Sequence, residues 1–377
     1  MHIVDTTLFF APNSGGVKRY LLTKQQFLAT HSGVRHTIVV PGSGKGSCRP
    51  GIVELPSRPI PFGNGYRIPI DTRAWYDTLC ALKPDIIEAG DPYHIAWVAL
   101  RAADRLGVPA VAFAHSDLSR LLGTRFGETV RAGVDAYLRD LYGRFDLVMA
   151  PSQSVATRLR GLGIERAVVQ PLGVDTVLFH PSRCDRLLRT ELGLPANTRL
   201  LIYAGRIAAE KRIPLIQRAI EKLGSPYHLL IVGGQAQCRL SACISLLPYE
   251  QDSARLARLL ASSDALIHAG EHETFGLVFL EAMACGRPVI GVRSGAVTEI
   301  VDDAVGRTAS PGDVESLAEA ICALYEGDFE QLGRQARDRV ERLYSWDRTL
   351  TQQLARYQHL VRRSEALGDT VPVLRGS

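Results

Sequence analysis

The sequence predicts an α/β protein whose parallel sheets are doubly wound and divided between two halves. Three observations carry this reading. Short runs such as Leu147–Ala150 and Val289–Val292 are apolar throughout, as strands buried on both faces of a parallel sheet are. Longer stretches with helical spacing alternate with them, the pattern of parallel strands joined by crossover helices. The length, 377 residues, suits two domains at roughly 100–200 residues each.

After an opening strand, the strands expected in order are His36–Val40, Asp85–Ala89, Ala110–Ala114, Leu147–Ala150 and Ala167–Gln170, then Leu200–Ala204, His228–Val232, Ala265–Ala269 and Val289–Val292. Helical patterns fall between them at Gly16–Thr30, His94–Leu106, Gly127–Arg144, Leu215–Leu223, Ser253–Leu260 and Phe279–Cys285. Alternation pauses in the turn-rich stretch Gly173–Asn197, which reads as the junction between the halves. Between Gly234 and Leu246 little helical pattern is visible. The chain closes on an amphipathic helix from about Trp346 to Ser364, followed by a frayed tail.

Composition narrows the class. Hydrophobic residues make up 46% and charged residues 22%, a globular balance and not a disordered one. The longest apolar runs fall far short of the roughly 20 residues that span a bilayer. The opening residues lack a basic region followed by an apolar run and a cleavage site. The expectation is a cytoplasmic protein, with peripheral contact on the inner face of a membrane left open. Seven scattered cysteines without a CxxC pair argue against a zinc site or disulfide framework.

The formal net charge is +5, and all of it lies in residues 1–181, which carry 20 Lys+Arg against 15 Asp+Glu. A basic half can meet a phosphorylated ligand or an anionic surface, or the excess can simply be dispersed over its surface. Nucleic acid is not expected, since no run of five basic residues, zinc finger or RNP motif is present.

Ligands of doubly wound sheets sit at loops following the carboxyl ends of strands, so those loops carry the functional question. The first, Pro12–Arg19, contains Gly15 and Gly16 before a helix start, where free backbone N–H groups favour an anion. It matches neither GxGxxG nor a Walker A sequence. The second places His115 just past a strand; a plain core or surface histidine is the competing reading. In the third, Gly205-Arg206 is followed by Glu210-Lys211, two cations close enough to clamp a diphosphate or to sit on a solvated helix start.

The fourth loop, Glu271 to Gly286, is the richest. Glu273 lies before a helix opened by Gly276, and the N–H groups around Phe275–Leu277 suit a phosphate or sugar hydroxyl. Glu281 stands inside an otherwise apolar stretch, where a carboxylate needs a partner such as a ribose diol.

These residues together resemble the retaining glycosyltransferases of family 4. The resemblance rests on Glu273-x7-Glu281 enclosing Phe275-Gly276-Leu277, with Gly286-x-Pro288-Val289 after it. It extends over nearly the whole chain through Gly15-Gly16, His115, Pro151-Ser152-x-Ser154, Gly173-Val174-Asp175, Phe179-x-Pro181, Gly205-Arg206-x3-Glu210-Lys211, Gly295-x3-Glu299-Ile300-Val301 and Tyr344-Ser345-Trp346.

The resemblance implies a GT-B fold, two Rossmann-like domains facing across a cleft. Residues 1–181 would form the acceptor domain, joined by the C-terminal helix of about 346–377, and residues 182–345 the donor domain. It also implies a metal-independent hexosyltransferase that moves a sugar from a UDP- or GDP-sugar to an acceptor hydroxyl with retention, without a cofactor. Arg206 and Lys211 would hold the diphosphate, Glu281 the ribose, and Glu273 the transferred sugar. Gly205, Thr274, Phe275, Gly276 and Leu277 complete the donor loops, and Tyr249 lies in the segment facing the base. Gly15 and Gly16 would approach the diphosphate from the other domain, and His115 would sit beside the reacting carbon. The implied mechanism is front-face substitution, in which the departing phosphate helps deprotonate the acceptor; double displacement at Glu273 is the competing route.

Two departures from the family pattern stand out. The Pro-Glu-Lys-Gly stretch is Ala209-Glu210-Lys211-Arg212 here, and Leu247-Pro248-Tyr249 lacks the common glycine. Three other readings keep the same site: a sugar-nucleotide epimerase, a sugar phosphorylase, or a non-catalytic nucleotide-sugar-binding protein. The acceptor is open between small molecule, glycan and lipid-linked sugar. Arg120, Arg125, Arg131, Arg139 and Arg144, interleaved with apolar residues over Leu118–Phe145, suit either an anionic membrane or an ordinary surface helix.

Overall fold

A computed structural model describes residues 1–11, 15–43, 49–61 and 65–370. They divide into two compact units, Met1–Pro171 with Thr349–Ser377, and Leu172–Arg348. The sequence alone had put the boundary at 181/182. Residues 172–181 go with the second unit because they pair there. The Val174 N–H donates to the Tyr344 carbonyl (2.8 Å) and Val174 bridges Ser345. Arg337 donates to the carbonyls of Thr176 and Phe179.

The first unit is a seven-stranded sheet in the order β3-β2-β1-β6-β7-β8-β9 among the described residues. Its strands are β1 (His2–Thr6), β2 (Arg35–Gly42), β3 (Ile52–Pro56), β6 (Ile86–Ala89), β7 (Ala110–Phe113), β8 (Leu147–Ala150) and β9 (Ala167–Val169), all parallel. A small antiparallel pair, β4 (Arg58–Pro59) and β5 (Arg67–Ile68), stands apart. The connecting helices are α1 (Gly16–Ala29), α2 (Thr72–Leu82), α3 (His94–Leu106), α4 (Leu118–Phe126), α5 (Glu128–Gly143) and α6 (Gln153–Gly161). The one helix expected over Gly127–Arg144 is thus preceded by a second, and the chain turns between them at Gly127.

The second unit repeats the design as β12-β13-β11-β10-β14-β15-β16. Here β10 is Arg199–Ala204, β11 Tyr227–Gly234, β12 Cys238–Ser241, β13 Ile244–Pro248, β14 Ala265–Ile267, β15 Val289–Val292 and β16 Gly306–Ala309. All pairs are parallel except β12–β13. The helix-poor stretch noted in the sequence is this hairpin: β12 and not a helix joins β11 to β13. Helices α7 (Leu188–Glu191), α8 (Ile213–Leu223), α9 (Ser253–Ser262), α10 (Leu277–Ala284), α11 (Val297–Ile300), α12 (Val314–Glu326) and α13 (Phe329–Leu343) complete it. The final helix α14 (Trp346–Thr370) starts in this unit and continues in the first.

Each unit has its own core. Val4, Ile87, Ala112 and Val148 from the first sheet pack with Trp75, Leu79, Leu138 and Leu141 from its helices. Leu201, Leu229, Ile267 and Ile290 pack with Ile216, Ile220, Leu317 and Ile321 in the second. The central strands, such as Ile86–Ala89, Ala110–Phe113 and Val289–Val292, are buried throughout, as strands covered on both faces of a parallel sheet are, the physical reason for their unbroken apolar runs.

The first unit also buries charge. Lys24 on α1 is 1% exposed. Its Nζ pairs with Asp5 of β1 (2.7 Å) and Glu88 of β6 (3.3 Å), and donates to the Tyr357 hydroxyl of α14 (2.8 Å). The Tyr20 hydroxyl, the Tyr357 hydroxyl and the Gln353 amide donate to Glu88, and His36 Nε2 donates to Asp5 (3.0 Å). Burial pushes the Glu88 carboxyl up to about 7, although Lys24 pulls the other way. Burial would raise Asp5 as well, but Lys24 and His36 overcome it and hold Asp5 at about 2.

Candidate donor site in the second unit

The parallel strands of the second unit all deliver their carboxyl ends to one edge of the sheet, and the loops there carry most of the expected site. Gly205 and Arg206 follow β10, Tyr249 follows β13, and Glu273–Leu277 follow β14. The Gly205 N–H donates to Val232 (2.9 Å), and the Tyr249 N–H donates to Gly234 (2.9 Å), so both segments are tied to β11.

At the centre is an ion pair. Lys211 Nζ donates to Glu273 Oε1. Both side chains are largely buried, at 20% and 15% exposure. Burial acts to raise the Glu273 carboxyl, but the charge and hydrogen bond of Lys211, with the electrostatic influence of His268 and Arg206, outweigh it and hold it below the ordinary range. Arg206 is 60% exposed and lies 3.6 Å from Glu210. Lysine has three donors and arginine five, so this pair of cations retains bonding capacity for phosphate oxygens.

The Glu273 loop is held from both sides. The Ser294 hydroxyl donates to the Glu271 carbonyl (2.6 Å) and the Ala296 N–H to the Glu273 carbonyl (3.2 Å). Gly295, between them, has φ +56, and a Cβ there would stand 2.8 Å from the Glu273 carbonyl oxygen. Only glycine allows so close an approach. Gly276 takes the left-handed region (φ +85) as the cap of α10, with Phe275 buried beside Tyr344. Phe275 therefore anchors the loop in the core, leaving its backbone as the part available to a ligand. Thr274 and Leu277 are half-buried, and Glu281 on α10 is 4% exposed.

Arg212 is one of the departures from the family pattern. It sits at φ +52, in the left-handed region, which costs about 1–2 kcal/mol for a residue with a Cβ. Its Nε reaches Glu271 at 3.5 Å.

Sequence reasoning missed His268 and Tyr203. His268 is the first residue past β14; its N–H still donates to Ile290 (2.9 Å), but its Nδ1 accepts from Gly270 (3.1 Å), which ends the ladder. Its Nε2 is 3.3 Å from Glu273 Oε1. Burial lowers its pKa to about 4. Tyr203 stacks on it, and its hydroxyl donates to the Arg206 carbonyl (2.8 Å). The available signal was a polar residue ending an apolar run, Ala265-Leu266-Ile267-His268.

Gly15, Gly16 and His115 lie in the first unit. Gly15 caps α1, while Pro12–Ser14 of that loop lie outside the described residues. His115 follows β7, its ring stacked on Phe113 at 4.0 Å and tilted against Tyr20 at 5.1 Å. Burial, reinforced by Lys24, pulls its pKa down to about 3, so the imidazole is neutral near pH 7. In the α4–α5 hairpin, residues 124–133 are all exposed, including Phe126 and Val130. Arg131 pairs with Glu128 and Arg144 with Asp140. Among the described residues, no helix is long and apolar enough to cross a membrane.

Two Rossmann-like units, with paired cations and carboxylates at the strand ends of the second, define the GT-B class of fold. A solved sucrose-phosphate synthase from Thermosynechococcus elongatus shares that fold, with a TM-score of 0.82 and 21% identity over 96% of this chain and 100% of the other. The family model described as "Glycosyltransferase Family 4" matches residues 14–178, and that described as "Glycosyl transferases group 1" matches 185–341. The chain is 30% identical to a GDP-mannose-dependent alpha-(1-6)-phosphatidylinositol dimannoside mannosyltransferase of Mycobacterium tuberculosis, covering 94% of this chain and 95% of the relative. It is also 30% identical to a GDP-mannose-dependent alpha-mannosyltransferase of Mycolicibacterium smegmatis, over 80% and 82% of the two chains. The chain belongs to glycosyltransferase family 4.

Proposed function

We propose that this protein is a retaining mannosyltransferase that takes its sugar from GDP-mannose and gives it to a hydroxyl of a lipid-linked acceptor. The observation that carries the reading is the Lys211–Glu273 pair beside Arg206 at the strand ends of the second unit. The donor and the sugar follow the two mannosyltransferase relatives. Arg206 and Lys211 bind the diphosphate, the backbone of Thr274–Leu277 caps its oxygens, Glu281 takes the ribose, and the Tyr249 segment faces the base. Glu273, ionised near pH 7, accepts from hydroxyls of the mannose.

Chemistry proceeds on one face of the sugar. The bond from the anomeric carbon to the leaving phosphate oxygen breaks, and the acceptor oxygen bonds to the same face. The acceptor proton passes to the departing phosphate. Charge building on that phosphate is stabilised by Arg206 and Lys211, so no metal is required. A neutral His115 suits hydrogen bonding and not proton relay. The exposed Phe126 and Val130 beside Arg125 and Arg131 favour contact between the α4–α5 hairpin and an anionic bilayer that supplies the acceptor.

The test starts with thermal shifts in GDP, UDP, ADP and dTDP, with and without magnesium. A nucleotide at about 100 times its dissociation constant stabilises by roughly 2.7 kcal/mol. GDP is expected to stand out, with magnesium irrelevant. Labelled GDP-mannose with total polar lipid should then give an α-linked product in EDTA. A response to UDP alone would overturn the donor; a β-linked product would overturn retention; loss of activity in EDTA would overturn metal independence. Pelleting with anionic vesicles at low and high salt tests the hairpin, and salt-insensitive or absent binding would remove the membrane.

A further inference from the structure

We propose that His268 is a positioning residue of the donor site, its Nε2–H holding the Glu273 carboxylate at the angle that shares Lys211 between that carboxylate and the donor diphosphate. This rests on the donor reading above and goes beyond it, since neither the motif nor the cation pair involves this residue.

The geometry fixes which nitrogen carries the proton. The Gly270 N–H can only donate, so His268 Nδ1, 3.1 Å away, must accept. The neutral ring then carries its proton on Nε2, which faces Glu273 Oε1 at 3.3 Å. The ring cannot turn away. It stacks on Tyr203 (centroids 5.5 Å, 25°) and abuts Phe279 (5.5 Å). A Cβ at Gly270 would come within 2.6 Å of its Cε1. Glu273 Oε1 is therefore approached by two groups, a rigid neutral N–H 3.3 Å away and a flexible cation. Without the first, Lys211 alone must satisfy that oxygen, and more of its charge is committed to the carboxylate and less to the diphosphate. Through Tyr203, the same aromatic stack also braces the carbonyl of Arg206, so one buried unit sets the register of both cation-bearing and carboxylate-bearing loops.

Three variants separate positioning from packing. His268→Asn keeps an acceptor for Gly270 and loses the donor to Glu273; His268→Gln keeps a donor near Nε2; His268→Phe keeps the stack and loses both bonds. With GDP-mannose as donor, kcat is expected to fall about ten- to hundredfold in the Asn and Phe variants, the range for a lost hydrogen bond to a charged group. The Gln variant should stay within about fivefold, and the donor KM within about threefold in all three. Activity within threefold of wild type in both Asn and Phe variants would overturn the proposal. So would equal losses in all three, which would mark a packing role. Nitrogen-15 histidine spectra of the unmodified protein provide a readout independent of variant folding. They should show His268 as the neutral Nε2–H form from pH 5.5 to 8, and the opposite tautomer would overturn the proposal. If the wild type neither binds a nucleotide nor transfers mannose while the spectra show Nε2–H, the donor reading fails and the structural assignment of His268 to Glu273 stands.

Discussion

Replacing Lys24 with methionine tests the buried charge cluster of the first unit most directly. Methionine approximates the lysine stem in volume, so packing changes little, while the charge is lost. Asp5 and Glu88 then remain buried without the cation that lies 2.7 and 3.3 Å from them. Removing one partner from a buried ionic group costs about 3–5 kcal/mol, against a total stability of order 5–15 kcal/mol for a domain. Part of the cost is recovered when Glu88, already raised to about 7, takes up a proton. The loss should therefore be larger at pH 8 than at pH 6. Urea unfolding followed by tryptophan fluorescence is a suitable assay. Trp75 is buried in this unit and its Nε1 donates to Thr6, next to Asp5 (2.9 Å). Adding Glu88→Gln to the variant removes the second stranded charge and keeps an acceptor for Tyr357. The double variant should regain about 1–2 kcal/mol, within the range of coupling between neighbours. A loss below about 1 kcal/mol in the single variant, or no recovery in the double, would refute the claim that Lys24 neutralises this core.

Glu88 binds a proton more tightly folded than unfolded, so its contribution is complete below about pH 4.5 and is lost as pH rises through about 7. Buried histidines such as His115 act in the opposite sense, so the quantity to read is the difference in melting temperature between wild type and Glu88→Gln. That difference should favour wild type at pH 5 and shrink by pH 7.5. Lys211→Ala should lower kcat/KM by two or more orders of magnitude, in line with loss of a preorganised charge donor, with far-UV circular dichroism unchanged; activity within tenfold would contradict the clamp. Gly295→Ala should cost more activity than stability, because its Cβ meets the Glu273 carbonyl; steady-state kinetics beside a melting curve would show it. Arg212→Gly should raise stability by up to about 1 kcal/mol through relief of a left-handed residue, measured by urea midpoint.

Much of the fold was legible because its central strands are buried on both faces. Leu147–Ala150 and Val289–Val292 matched to the residue, since no polar position interrupts them. The edge strand Ala167–Val169 was expected, but two other edge strands were not legible. Ile52–Pro56 contains Glu54 and is half-exposed, and Cys238–Ser241 is mostly exposed, so neither has a buried-strand pattern. The candidate site was readable as far as its placement, since Arg206, Lys211, Glu273 and Gly276 were expected on loops after strands and Lys211 does meet Glu273 there. His268 was hidden, since it fell inside the expected strand Ala265–Ala269, whereas the observed strand stops at Ile267 and His268 Nδ1 accepts from Gly270. Asp5, Lys24 and Glu88 were not singled out in the sequence, because their pairing depends on strand order, which spacing does not encode.

The division of the first unit into Met1–Pro171 and Thr349–Ser377 has a consequence for birth on the ribosome. Tyr357 and Gln353, which satisfy Glu88, are synthesised only after the entire second unit. At about 5–20 residues per second, the 269 residues from Glu88 to Tyr357 keep the charges around Lys24 waiting roughly 13 to 54 seconds for their last partners. During that interval the nascent first unit carries an incomplete interior, and the inserted second unit must bring its own two ends together before the first can close. Premature termination between Arg348 and Gln353 should thus release a chain whose second half is complete and whose first half is a substrate for chaperones and proteases.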